Sequence, residues 1–184
     1  MAGVGRGRRL MLLVPAAFAA TYTVDTDGEG DATTIAGGLA LATDGDTVEV
    51  GPGTYVEYVT IEHDVHLVGT DATILGTGAG PVVRMTAGSL SGFSISGGAA
   101  TAEGDDAGGG VRAEGDVTLG DLVVTGNTAS RGGGLFLDGN VTVSDCVVSG
   151  NSAELGGGVA VAGGSVRIER SVFETNTAEY GGGL

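Results

Sequence analysis

The sequence predicts an all-β parallel β-helix built from three-strand coils of about 24 residues, and three features carry that prediction. Glycine triplets at Gly108–Gly110, Gly132–Gly134, Gly156–Gly158 and Gly181–Gly183 recur at steps of 24, 24 and 25 residues. Asn127, Asn151 and Asn176 keep the same beat, each five positions before a triplet. Between these marks one pattern is written three times: VTLGDLVVTGNTASRGGGL from Val117, VTVSDCVVSGNSAELGGGV from Val141 and VRIERSVFETNTAEYGGGL from Val166. A fixed period in this range belongs to stacked units that bury their apolar faces only against their neighbours.

The N-terminus reads as an address. Arg6, Arg8 and Arg9 form a basic start, Leu10 to Ala20 is an apolar run, and Ala17-Phe18-Ala19 offers a small-x-small cleavage site. Residues 1–20 are therefore expected to be a secretion signal peptide, too short to span a bilayer. Residues 21–184 read as one β-helix domain, secreted or on the cell surface, with no membrane span.

Asp31 to Thr43 is the one stretch with helical spacing: Ile35, Leu39 and Ala42 share a face, and Asp31 stands at the N-cap. Its expected role is a short helix capping the open end of the first coil. Val48–Val50, Val59–Ile61, Val65–Val68, Thr73–Leu75, Val82–Met85 and Leu90–Ile95 follow as strands between Gly, Asp and Pro turns. Leu90 to Gly97 repeats the pattern of Leu119 to Gly126, with Gly98 at the asparagine position and a nine-residue insert, AATAEGDDA, before Gly108.

The regular coils place strands at Val141–Val143, Cys146–Ser149 and Gly158–Val161 and at the equivalent positions. Alternation points Val117 and Leu119, Val141 and Val143, and Val166 and Ile168 inward. About five coils are expected, stacked about 4.8 Å apart. The sequence ends at Leu184, one residue into a further strand. That suggests a truncated C-terminus whose uncapped coil favours self-association.

Composition narrows the classes. Glycine supplies 38 residues, while four Phe, four Tyr and no Trp leave the core to Val, Leu, Ile and Ala, which suits thin coils. The net charge is −15, and removing residues 1–20, with three Arg and no acid, takes it to −18. A surface so acidic repels phosphate backbones, so no nucleic-acid partner is expected. Cys146 is alone and shares its repeat position with Leu122 and Ser171, which marks it as a core residue and rules out a disulfide framework.

Three segments, Asp44-Gly45-Asp46-Thr47-Val48, Gly51-Pro52-Gly53-Thr54-Tyr55 and Val59-Thr60-Ile61, resemble the opening of pectin-lyase-like right-handed β-helix proteins. The repeats from Gly108 onward resemble those of polymorphic outer-membrane proteins, whose signature pairs a GG-A/G-[IVL] turn with F-x-x-N. Phe173-Glu174-Thr175-Asn176 keeps the second motif, and Val124–Asn127 and Val148–Asn151 carry Val for Phe. The resemblance covers Thr21 to Leu184 and implies right-handed winding. Because this fold hosts lyases, hydrolases, adhesins and inert stalks, activity has to be argued from sites.

Asn127, Asn151 and Asn176 are expected to stack as a structural ladder of amides. Asp25, Asp27 and Asp31 alternate with Gly28 and Gly30 as in a calcium loop, without the closing bidentate Glu of an EF-hand. They are the calcium candidates, and calcium is the one cofactor the sequence leaves room for. Asp105 and Asp106 on the insert, with Arg112 nearby, are the candidates for lyase or hydrolase chemistry. Asp121, Asp145 and Arg170 share one repeat position, which stacks Asp145 beside Arg170. Phe136 is the outward aromatic, between Arg112 and Ala160, and His63 and His66 fall on opposite sides of a strand.

The glycine triplets lack the Lys and Ser/Thr of a phosphate loop. The reading is a non-catalytic secreted or cell-surface scaffold, adhesive or glycan-contacting, whose partner is a polysaccharide or a host-surface ligand. The alternative is a truncated polysaccharide lyase or glycoside hydrolase in which Asp105, Asp106 and Arg112 gather in one groove.

Overall fold

The computed structural model describes residues 18–102 and 106–183. The elements run β1 (Thr21–Val24), α1 (Ile35–Leu39), β2 (Thr47–Val50), β3 (Gly53–Tyr55), β4 (Val59–Ile61), β5 (His66–Leu75), β6 (Val83–Ser96), β7 (Ala99–Ala100) and β8 (Val111–Gly120). Then follow β9 (Val123–Thr125), β10 (Thr128–Arg131), β11 (Leu135–Ser144), β12 (Val147–Ser149), β13 (Ser152–Leu155), β14 (Val159–Glu169), β15 (Val172–Glu174) and β16 (Thr177–Tyr180). Every pairing is parallel, as it must be when each coil lies on an equivalent of itself: β11 on β8, β12 on β9 and β13 on β10, in register.

The main sheet has twelve strands, seven of them stacked in the order β1-β2-β5-β6-β8-β11-β14 with β3, β4, β9, β12 and β15 paired beside that path, and a smaller sheet runs β16-β13-β10-β7. The stack thus has about seven turns where the sequence marks suggested five. The first turns carry neither the asparagine nor the glycine triplet, so the repeat does not announce them.

Two further differences have local causes. The stretches expected as separate strands at Gly158–Val161 and from Val166 are one strand, β14. Gly164 explains it: its φ of 79° lets β14 bend while Gly164 stays paired to Gly139 of β11. In addition, β13 replaces an expected turn. Its sequence Ser-Ala-Glu-Leu shows almost no apolar alternation, because Ala153 is the only small residue aimed at the interior.

The core follows from period-2 alternation. Val117, Leu119, Leu122, Val124, Leu135, Leu137, Val141, Val143, Cys146 and Val148 are buried, while Val166, Ile168 and Phe173 of the last described coil pack against them half-covered. Cys146 takes the place of Leu122 one coil on, and burial pushes its thiol up.

Helix α1 is shorter than expected and is capped by Thr34, whose Oγ1 accepts from Gly37 N at 3.0 Å. Asp31 does not cap it; its Oδ2 accepts from Thr23 N at 2.8 Å and Thr23 Oγ1 at 3.0 Å. Glu57 completes the helix start, its two carboxylate oxygens accepting from Ile35 N and Ala36 N at 2.9 Å each. Ile35 and Leu39 are buried, and α1 packs against β1, β2 and β4 at the N-terminal end of the stack.

Candidate functional site

The outer face of the main sheet carries a column set by register: Thr60, Arg84, Arg112, Phe136 and Ala160. Around Phe136 the chain gathers the side chains that the sequence marked for chemistry. Phe136 itself is not an open platform, because only 5 % of it is exposed. The Arg112 and Arg131 guanidinium carbons lie 5.7 and 5.1 Å from its ring centroid, a cation–π arrangement that covers it.

Arg131 forks onto Asp106, Nη2 to Oδ1 at 2.8 Å and Nε to Oδ2 at 3.3 Å. The Asp106 carbonyl also accepts from Ser130 N and Arg131 N, both at 3.0 Å. The Arg131 side-chain fork, with the charges of Arg131 and Arg112, holds the Asp106 carboxyl below the usual aspartate range. Arg112 reaches Glu114 at 2.6 Å. Of the expected triad, Asp106 and Arg112 are thus brought into one neighbourhood and Asp105 lies outside the described residues. Sequence reasoning missed Arg131, although a coil-length offset of 25 residues separates it from Asp106.

Asp145 and Arg170 pair as the register implied, by two hydrogen bonds of 2.7 Å. Asp121, Asp145 and Arg170 also share a left-handed backbone, with φ of 50°, 57° and 47°, so this column is a coil corner. The Arg170 fork draws the Asp145 carboxyl down.

Asn127 and Asn151 are each 1 % exposed. Asn151 Oδ1 accepts from Asn127 N at 3.0 Å and Asn127 Nδ2 at 3.1 Å, and its Nδ2 donates to Val124 O at 2.9 Å and Ser149 O at 3.2 Å. Asn176 repeats the role one coil on, accepting from Asn151 N and Nδ2 at 3.0 Å. Every amide atom of Asn151 is engaged with the coil itself. At the other end Gly98 N donates to Asn127 Oδ1 at 2.9 Å, and a Cβ on Gly98 would stand 1.8 Å from Gly109 O, which explains glycine there.

The aspartates of the Asp25–Asp31 loop each hold backbone. Asp25 Oδ1 accepts from Asp27 N at 3.4 Å, Asp27 Oδ1 from Glu29 N at 2.9 Å, and Asp31 turns to Thr23. Among the described residues no three His, Cys, Asp or Glu side chains are grouped so as to hold a metal ion. His63 Nε2 lies 3.3 Å from Ala42 O and His66 Nδ1 2.8 Å from Ser89 Oγ, so the two histidines have separate partners.

Two open spaces lie away from the charged cluster and the aspartate loop. On the outer face of the small sheet, Thr128, Ser152 and Thr177 stand in register, with Ser130, Glu154 and Glu179 in a second row two residues along. The rows line a trough of about 470 Å³. A second groove, of about 370 Å³, lies between α1 and β4 and is walled by Tyr58, Thr60, Glu62 and His63. No helix among the described residues is long and apolar enough to cross a membrane.

No family model matches the chain, and no curated protein matches it. Among solved structures it is similar to the pectin methylesterase from Aspergillus niger in deglycosylated form, at 16 % identity and a TM-score of 0.54. A penultimately deglycosylated form of the same enzyme gives 17 % identity and a TM-score of 0.53. Each comparison covers 90 % of this chain and 65 % of that one, so the chain spans about two thirds of the enzyme's length. Identity this low carries the architecture alone, and the architecture is a right-handed parallel β-helix.

Proposed function

We propose that the chain is a secreted or cell-surface β-helix scaffold that holds a glycan without turning it over, contacting it along the trough of the small sheet. The trough is the observation that carries this reading. Its hydroxyl and carboxylate rows repeat at the coil spacing, about 4.8 Å, which is close to the advance of one sugar unit in an extended β-linked chain. Hydroxyls that donate and accept, beside carboxylates that accept, suit the vicinal hydroxyls of a neutral sugar. The charged cluster supports the reading without turnover on one point only, general-acid chemistry. Asp106 is forked by Arg131 and kept ionised, which disqualifies it as a general acid near neutral pH.

Co-sedimentation with insoluble cellulose tests the binding. We expect the protein to pellet with the polymer without releasing soluble sugar, and Ser152→Tyr, which fills the trough, to reduce pelleting at least about fivefold, or about 1 kcal/mol. Release of soluble sugar would refute the scaffold reading.

A second reading, hydrolysis of an acidic polysaccharide ester, is favoured by the gathering of Asp106, Arg112 and Arg131. It predicts methanol release from methyl-esterified pectin that Asp106→Asn abolishes; we expect none above the blank.

A further inference from the structure

We propose that the groove between α1 and β4 is a separate subsite for the end of a neutral glycan, with the Tyr58 ring as its stacking platform. Alternation creates the wall: Val59 and Ile61 are each 1 % exposed and face the core, so Tyr58, Thr60 and Glu62 face out. Across the groove stand Ala36 of α1, the largely buried Leu39 and the C-cap Ala40, and the two alanines leave the width open.

The ring is fixed before any ligand arrives. Tyr58 Oη accepts from Ala79 N at 2.7 Å and Thr77 N at 3.0 Å, and shares a hydrogen bond with Thr77 Oγ1 at 3.0 Å. With both lone pairs taken by amides, the phenol proton goes to Thr77 Oγ1. Three contacts therefore clamp the hydroxyl end while 39 % of the residue stays exposed. An aromatic ordered by folding spares the ligand that ordering cost, and its face matches the C–H face of a pyranose.

Glu62 stands four residues along from Tyr58, about 13 Å at the strand rise. That span lets a disaccharide stack one ring on Tyr58 and offer the hydroxyls of the other to the Glu62 carboxylate. In a chain of net charge −15, the same carboxylate disfavours uronic acids, so the subsite selects neutral sugars. Sequence alone hides the site, because the clamp comes from a loop 19 to 21 residues away.

Saturation-transfer NMR with methyl β-cellobioside on the full chain tests this. Saturating the tyrosine resonances should label the protons on one face of one sugar ring, and digalacturonate should show no transfer. Tyr58→Ala should remove the transfer. Tyr58→Phe, which keeps the ring and loses the clamp, should weaken binding about fivefold with the fold intact. Glu62→Gln should keep the neutral sugar and admit digalacturonate. No transfer at millimolar sugar, or equal transfer in Tyr58→Ala with an unchanged melting curve, would overturn the proposal. Ser152→Tyr in the distant trough should leave this signal alone, so the subsite and the scaffold reading stand or fall separately.

Discussion

The two ends of the stack are held together by different means. From Gly108 onward the coils repeat their fastenings: an asparagine amide bonded above and below, and a glycine triplet hydrogen-bonded to the next, as in Gly133 N to Gly156 O at 3.2 Å and Gly157 N to Gly181 O at 3.1 Å. The first coils use single fittings. Asp46, 5 % exposed, accepts from Ala20 N at 2.7 Å, Thr43 N at 2.8 Å and Thr43 Oγ1 at 2.9 Å. Glu57 caps α1, and Tyr55 Oη donates to Gly51 O at 3.0 Å. A repeating fastening demands the same residue in every coil and leaves little side chain for anything else. Individual fittings free the outer positions to differ, and the clamped Tyr58 groove occurs at that end.

The sharpest way to break this contrast is Gly133→Ala. A Cβ there would meet Ser152 O at 2.4 Å and Gly157 O at 2.6 Å, both backbone atoms of the next coil, which cannot yield separately. We expect a loss above about 4 kcal/mol, which would leave little soluble folded protein. A urea melt and soluble yield check it, and a stable variant would mean that the coils slide more freely than their ladders imply.

Asn151→Ala comes next. It strips Asn127 N of its side-chain acceptor and Asn127 Nδ2 of one of its three, and takes the Asn151 amide from Val124 O and Ser149 O, all in a buried turn. Unsatisfied buried groups of this kind add up to about 3 kcal/mol, read as a lower urea midpoint. Asn176→Ala should cost less, because Asn176 is only half-buried and only one described coil rests on it.

How far the sequence revealed these features depended on whether the cause was periodic. The triplets, the asparagines and the inward Val and Leu positions repeat, so the stacking direction and the core were readable. Strand β13 was not, since a strand whose inner face is a single Ala shows no apolar period. The left-handed corner at Asp121, Asp145 and Arg170 was hidden too, because φ above zero at Asp or Arg follows from the coil's geometry and leaves no glycine to mark it. Arg131 escaped because the insert shifts its partner Asp106 out of the repeat alignment, and Tyr58 because its clamp is made of backbone amides.

Acid should separate the two ends by mechanism. Asp46 and Asp31 are drawn below the ordinary aspartate value of 3.8 by hydrogen bonds, from Ala20 N and from Thr23 N respectively. Asp145 and Asp106 are drawn below it by Arg170 and Arg131. A depressed carboxyl stabilises the fold above its unfolded value, and that contribution is lost as pH falls through the lower folded value. Stability should therefore be flat from neutrality to about pH 5 and fall below about pH 4. Added salt should weaken the two arginine pairs at neutral pH and leave the amide-held aspartates unaffected, since only the former are exposed ion pairs. Hydrogen exchange at Ala20 and Thr43 against Ser130 and Arg131, in low and high salt, checks the difference. Equal salt response at both ends would contradict it.

The smallest effect is the most discriminating about the glycines themselves. Gly45 has φ of 87°, like many glycines of the repeats, yet a Cβ there would meet nothing within 4 Å. Its N donates to Asp64 O at 2.6 Å, a bond that alanine keeps. Gly45→Ala therefore pays only for an L-residue in the left-handed region, about 1–2 kcal/mol, with no displacement of the neighbouring chain. Gly133 has no positive φ to strain and is excluded by space alone. If thermal melts rank Gly133→Ala far above Gly45→Ala, close packing between coils, more than turn conformation, is what the glycine period encodes. Similar losses would instead assign the period to turn geometry, and glycine would then be required only at the first, positive-φ position of each triplet, with alanine accepted at the second and third.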